Sequence, residues 1–148
     1  MGTHYRGSEQ EKRILDTFIK FMRASESVTG RLNKHLSEAD LTVSQFGILE
    51  ALHHLGPLNQ KALGEKLLKS GGNITMVVDN LEKSGCVERV QDPEDRRSVQ
   101  IHLTDEGKKF IQSFFPKHLE EIKKEFSVLN KKEMEELARI CKKLGLQK

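Results

Sequence analysis

Asparagine, threonine and methionine side chains recur on one face of a predicted helix that ends at Ser84. Its other face carries the i, i+3, i+4, i+7 pattern of a buried stripe, in Ile74, Val77, Val78 and Leu81. An Asn amide can bond an adenine edge bidentately, and Thr or Met can contact a thymine methyl group in the major groove. We therefore expect four of the exposed residues to contact base pairs, namely Asn73, Thr75, Met76 and Asn80.

The segment before this helix has the chemistry of an anion site. Ser70, Gly71 and Gly72 place backbone amides at a helix N-terminus without bulky side chains in the way. Such an end attracts a phosphate through its N–H groups and its partial positive charge. We expect Ser70 and Gly72 to contact the DNA backbone, and we also expect a DNA contact from Gln60, at the start of the preceding short helix.

A second candidate contact is the charged tip of a predicted β-hairpin. Val99, Ile101 and Leu103 alternate with polar residues, and the loop before them runs from Asp92 to Arg97. Adjacent arginines at the end of a thin ribbon suit a narrow, electronegative minor groove. We expect Arg96 and Arg97 to enter that groove, with Asp95 holding the side chain of Arg97 extended by a charge-assisted hydrogen bond.

Bulk charge contributes little to this interpretation. The net charge of the chain is +3. The stretch from Lys61 to Arg97 holds seven basic and seven acidic residues. The segment that we call the reading head, residues 59–104, is therefore close to neutral. Nucleic-acid binding by this segment must depend on where particular groups point.

The elements that position these residues are mostly helical. A first helix is predicted over 8–37, and capping residues at Thr42, Asn59, Thr104 and Asn130 begin four of the other five. The third helix is predicted from Gln60 to Leu68, and the fourth follows the Ser70–Gly72 turn and ends before Gly85. Two strands, Cys86–Gln91 and Ser98–Leu103, form the hairpin. The fold class is mainly α with a small β-wing: six helices and a two-stranded hairpin, in a single domain of residues 1–148.

Several other classes of function find no support. The two cysteines form no CxxC pair, the histidines have no metal-ligand spacing, and no phosphate-binding loop or nucleophile elbow occurs. We therefore expect no enzyme activity, metal site or cofactor. With no apolar run long enough for a membrane span and no signal-like segment, we expect a cytoplasmic protein without a membrane partner. One alternative stays open: a winged-helix module that binds protein rather than DNA, with Met76 as a contact residue.

Four motifs in family order carry a resemblance to the multiple-antibiotic-resistance-regulator (MarR) family of transcription factors. They are Asn73–Gly85, Val87–Arg89, Asp92–Arg97 and Leu103–Gly107. The resemblance implies a winged helix-turn-helix over residues 42–104, whose fourth helix enters the major groove of double-stranded DNA. It also implies that Arg97 is the minor-groove arginine and that Asp95 positions it.

The same resemblance implies how the protein would work as a whole. It implies a homodimer formed by helices in residues 8–37 and 105–148, binding a pseudo-palindromic operator as a repressor. It also implies release by a small-molecule effector, of phenolic or other aromatic type. One branch of the family senses oxidants through a cysteine in the first helix. Here no cysteine precedes Cys86, so we do not expect thiol sensing by that route.

Overall fold

The computed structural model describes residues 2–67 and 71–147, with Gly71 and Gly72 described only as helical backbone. The chain order is α1 (Glu9–Glu38), α2 (Val43–Leu55), β1 (Leu58–Asn59), α3 (Gln60–Leu67), α4 (Gly71–Lys83), β2 (Val87–Gln91), β3 (Val99–Leu103), α5 (Asp105–Phe126) and α6 (Lys131–Gly145). The prediction of six helices with a wing is confirmed. No helix among the described residues is both long and apolar enough to cross a membrane.

The helix starts follow from local capping chemistry. Thr42 and Asn130 each form a capping box with the Gln or Glu three residues later, and the Thr104 side chain accepts from the backbone of Gly107. Asn59 Oδ1 accepts a hydrogen bond of 2.8 Å from the Ala62 N–H and so caps α3. These polar side chains set where the helices begin, as the sequence predicts.

The sheet departs from the prediction by one strand. It has three antiparallel strands in the order β1-β3-β2, whereas the sequence predicts a two-stranded hairpin. In the added strand Leu58 pairs with Ile101 and Asn59 with Gln100. Two residues between Pro57 and a helix are too short for an alternating pattern, so only the pairing with β3 reveals this strand. Its effect is to join the base of the wing to the start of α3.

The hydrophobic core lies under the reading head and extends to α5. Its members come from α1 to α5, β2 and β3; they are Leu36, Phe46, Ile48, Leu49, Leu52, Leu63, Ile74, Val78, Leu81, Val87, Ile101, Ile111 and Phe114. The first turn of α5 closes this core tightly, since a Cβ on Gly107 would lie 2.0 Å from the Cys86 carbonyl oxygen. The wing and α5 are therefore held in fixed register.

The two outer helices contribute little to that core. Of the 30 residues of α1, Leu36 is buried, and α6 has no buried residue. Instead both helices leave large apolar side chains exposed: Ile14, Phe18, Phe21 and Met22 on α1, and Met134, Leu137, Ile140 and Leu144 on α6. A stripe of this size is expected to be covered by another surface.

Candidate nucleic-acid interface

Helix α4 has the two faces that its sequence predicts. Ile74 and Val78 are fully buried and Leu81 nearly so, which fixes the helix on the core. Asn73, Thr75, Met76 and Asn80 are exposed, and Met76 keeps 58% of its surface accessible. A large apolar side chain with that exposure, between polar neighbours, suits contact with a thymine methyl group.

Helix α4 is described from its first residue, Gly71. The helix already begins at Gly71, so the two glycines predicted as a turn are its first residues. Ser70, also predicted as a contact, falls outside the part of the chain that the structure describes. N–H groups in the first turn of a helix have no carbonyl partner within that helix. Gly72 is the second residue of α4, and its contact with an anion stays a prediction.

Gln60 joins α3, α4 and the wing. Its Nε2 donates to Thr75 Oγ1 on α4 at 2.9 Å, and its Oε1 accepts from Nε and Nη2 of Arg89 at 3.4 and 3.3 Å. Both ends of the amide are thus engaged inside the protein. Gln60 was predicted as a DNA contact, and the structure gives it a second role, in holding Thr75 and Arg89 at fixed positions.

Arg89 on β2 is the central charge of this cluster. Its Nη2 lies 2.6 Å from Asp79 Oδ1, and its Nη1 lies 2.9 Å from Glu82 Oε1. The backbone N–H of Arg89 also donates to Glu82 Oε2, at 3.3 Å. The wing strand is therefore attached to α4 through two carboxylates. In the count of charged residues these two groups appear only as two negative charges.

The wing tip is shaped by backbone and Asp side-chain hydrogen bonds. Asp92 N–H donates to Ser98 O at 2.9 Å, Ser98 N–H donates to Asp95 O at 3.0 Å, and Gln91 Nε2 donates to Arg96 O at 2.7 Å. Arg96 and Arg97 are exposed. The tip therefore presents two arginines from a closed, hydrogen-bonded loop.

Asp95 makes a contact that differs from the predicted one. Its Oδ1 accepts from the backbone N–H of Arg97 at 3.0 Å, so it shapes the turn. Among the described residues, the Asp95 carboxylate has no ion pair with the Arg97 guanidinium. A side chain two residues away closes the local turn more readily than it reaches an extended guanidinium. Positioning of the Arg97 side chain by Asp95 stays a prediction for the DNA-bound state.

A groove of about 420 Å³ runs between the start of α3 and the wing. It is lined by Asn59, Gln60, Lys61, Arg89, Arg97, Ser98 and Val99. Three of these side chains are cationic and none is acidic, in a segment that is neutral by count. The tertiary structure therefore gathers positive charge on the side that joins α3 to the wing.

Lys61 and Arg89 are the members of this site that sequence reasoning missed. Lys61 lies in the groove beside Gln60, and Arg89 lies at its base. Lys61 has a sequence signal, since it is the second residue of a helix that starts at a predicted contact. Arg89 has one only in its strand position: it follows the buried Val87 by two residues, so its side chain lies on the same face of β2 as Val87.

A pair of histidines, one of them buried, lies outside the reading head. His118 on α5 is 4% exposed, and its Nδ1 lies 3.0 Å from Nδ1 of His35 on α1. Burial lowers the pKa of His118, nearby His35 lowers it further, and Glu121 acts in the opposite direction. The contact between the two rings joins α5 to α1. No cluster of three metal-ligating side chains occurs among the described residues.

Comparison with known proteins agrees with this architecture. The MarR family model matches residues 41–99. The HTH-type transcriptional regulator YkoM of Bacillus subtilis (strain 168) is 36% identical over 138 residues, covering 93% of this chain and 90% of YkoM. The chain belongs to the MarR family. The HTH-type transcriptional regulator MhqR of the same organism is 35% identical over 91% of this chain and 93% of its own length.

Solved structures of MarR-type regulators share the fold. Sco3205 of Streptomyces coelicolor, in complex with DNA, has a TM-score of 0.86 at 23% identity, over 98% of this chain and 93% of its own. BpsR of Bordetella bronchiseptica, whose DNA binding is regulated by 6-hydroxynicotinic acid, has a TM-score of 0.80 at 21% identity, over 99% of this chain and 100% of its own. Membership of the MarR family makes this chain a DNA-binding transcriptional regulator.

Proposed function

We propose that this MarR-family protein is a ligand-responsive repressor that binds a pseudo-palindromic operator as a homodimer. The observation that supports it most is the Gln60 link, because it holds α3, α4 and the wing side by side. The predicted base-contacting face and the wing arginines then belong to one rigid surface. In this proposal residues 42–104 read DNA, and residues 8–37 and 105–148 form the dimer.

The contacts assigned to DNA are of two kinds. Asn73, Thr75, Met76 and Asn80 contact base edges in the major groove, while Arg96 and Arg97 enter the neighbouring minor groove. The phosphate backbone is contacted by Ser70, Gly72 and Gln60, and these contacts set the register of the protein on DNA. Lys61 joins them because it lines the same groove as Gln60. Asp95 supports the wing from within its turn.

The dimer part of the proposal is supported by the uncovered stripes on α1 and α6. Leu137 and Cys141 of α6 line an apolar cavity of about 260 Å³ with Phe21, Val28 and Phe126. That cavity lies beside the exposed side chains of both helices. A second copy of the chain would cover these stripes and place a second reading head at a fixed distance.

The effector part of the proposal concerns a cavity of about 370 Å³ between α2, β3 and α5. Its walls combine the apolar Leu52 and Leu103 with polar groups of His53, His102 and Lys108. His102 Nε2 is buried and has no hydrogen-bond partner among the described residues. Because buried polar atoms normally have a partner, a small rotation of the His102 ring toward the cavity would let Nε2 bond a bound molecule. An effector of phenolic or other aromatic type there would contact the wing strand and α5 together.

Selection of genomic fragments by the purified protein tests the proposal. Recovered fragments should share an inverted repeat with half-sites about one helical turn (~10 bp) apart. Their affinity, measured by fluorescence anisotropy, should fall steeply as salt rises. A protein that enriches no fragment and ignores duplex DNA at low salt would instead be a winged-helix module for protein partners.

A further inference from the structure

Helix α4 carries two carboxylates on a side that the proposed function brings close to phosphates. Asp79 follows Thr75 by four residues and Met76 by three, so it shares their face. The side chains of Asp79 and Glu82 are 49% and 44% exposed. A helix that enters the major groove passes between two rows of phosphates, which repel uncompensated carboxylates.

Arg89 meets both carboxylates at once, from the neighbouring strand. Its guanidinium is within 2.6 Å of Asp79 and 2.9 Å of Glu82, and it is only 26% exposed. Gln60 Oε1 accepts from two of its nitrogens and fixes the plane of the group. One cation thus stands between two anions, and its removal would leave both anions uncompensated.

The hydrogen bonds of Arg89 leave it poorly suited to bind phosphate itself. An Arg side chain has five N–H donors. Four hydrogen bonds already leave this guanidinium, through Nε, Nη1 and Nη2. A bidentate phosphate contact needs two parallel N–H groups, and these are occupied.

We infer that Arg89 is a positioning residue that acts on DNA binding by masking the charges of Asp79 and Glu82. The inference rests on the proposed function, since masking matters only if α4 approaches DNA. It explains how a reading head that is neutral by count can present a cationic groove. The two acids are turned toward the wing strand, while Lys61 and Arg97 face the groove.

The test compares Arg89→Ala with the triple variant Asp79→Asn/Glu82→Gln/Arg89→Ala. The probe is a duplex recovered with the wild-type protein, and a scrambled duplex of the same composition controls for specificity. Arg89→Ala should weaken binding to both duplexes by roughly 10-fold or more at low salt, because two carboxylates become uncompensated. The triple variant should recover most of that loss.

Two other results would overturn the masking role. If Arg89 contacts phosphate directly, the triple variant stays as weak as Arg89→Ala, and the salt slope falls by about one counterion. If Arg89 only holds the fold together, thermal unfolding shows Arg89→Ala to be destabilised and removal of the acids restores nothing. Lys123→Ala, which breaks the exposed Lys123–Glu120 pair on α5, is the matched control and should leave binding unchanged.

A second variant keeps the inference testable if Arg89→Ala fails to fold. Asp79→Asn/Glu82→Gln retains Arg89, and masking requires that it bind DNA at least as tightly as the wild type. Weaker binding with an intact fold would mean that the ion pairs orient α4 and that Arg89 does not act by masking the two carboxylates. Failure of the wild-type protein to bind any duplex would contradict the proposed function itself, and so is distinct from failure of the masking role.

Discussion

The reading head and the outer helices differ in how much of their apolar surface is buried within a single chain. In residues 59–104, apolar side chains such as Leu63 and Ile101 are fully buried, and the exposed polar groups hold one another in the Gln60–Arg89 network. By contrast, α6 buries no residue and leaves four large apolar side chains exposed. The reading head buries its apolar side chains within a single chain, whereas α6 leaves an apolar stripe that the proposed dimer would cover. Stability and recognition should therefore depend on different residues.

The largest effect should come from the core of the reading head. Leu63→Ala removes a fully buried side chain from α3 and should lower the free energy of unfolding by about 2–5 kcal/mol. Urea denaturation at a fixed chain concentration measures it. Lys142→Ala, which changes an exposed residue on the polar side of α6, is the control. Equal losses in the two variants would mean that the two regions do not differ as described.

The next effect concerns the uncovered stripe on α6. Leu137→Glu places a charge in the middle of that stripe and should convert the proposed dimer to monomers, as measured by light scattering. Operator affinity should then fall by roughly 100-fold or more, because the second reading head is no longer tethered. Lys142→Glu, on the polar side of α6, should leave the dimer intact. A Leu137→Glu protein that stays dimeric would remove α6 from the proposed interface.

A smaller effect is expected at the wing tip. Arg97→Ala should weaken operator binding by roughly 1–3 kcal/mol without a change in thermal stability, because the side chain is exposed and its proposed contact is with DNA. Asp95→Ala should act partly through the fold of the loop, since the Asp95 carboxylate bonds the Arg97 backbone. Fluorescence anisotropy and thermal unfolding separate the two. Unchanged binding by Arg97→Ala would exclude the wing from recognition.

The smallest effect is a dependence of folding stability on pH, which arises at the contact between His118 of α5 and His35 of α1. Folding lowers the pKa of His118 from its ordinary value of 6.5. Below pH 6.5 the unfolded chain therefore binds more protons at this residue than the folded protein does. Stability is therefore complete above that pH and falls as the pH drops toward the folded value. Urea denaturation between pH 7 and pH 5 measures this loss, and His118→Asn should reduce it. An equal loss of stability with falling pH in the wild type and in His118→Asn would mean that other groups cause the pH dependence.

Much of the fold could be predicted because its signals are local. Thr42, Thr104 and Asn130 cap the helices as their sequences indicate, and Ile74, Val78 and Leu81 form the buried face of α4. The strand at Leu58–Asn59 could not be predicted, since two residues carry no period and only pairing with β3 defines them. The predicted Asp95–Arg97 side-chain contact also differs, because local turn geometry offers the carboxylate a nearer donor.

By itself, the sequence determined the helix boundaries, the arginine-tipped wing and the exposed face of α4 that carries Asn73, Thr75, Met76 and Asn80. It could do so because caps and periodicity act over a few residues. Only the tertiary structure decided how charge is distributed on the reading head. Residues 61–97 are neutral by count, yet folding sets Arg89 against Asp79 and Glu82 and leaves Lys61 and Arg97 lining one groove. The physical reason is that electrostatic interactions depend on distances in space, and β2 reaches α4 only when the chain folds.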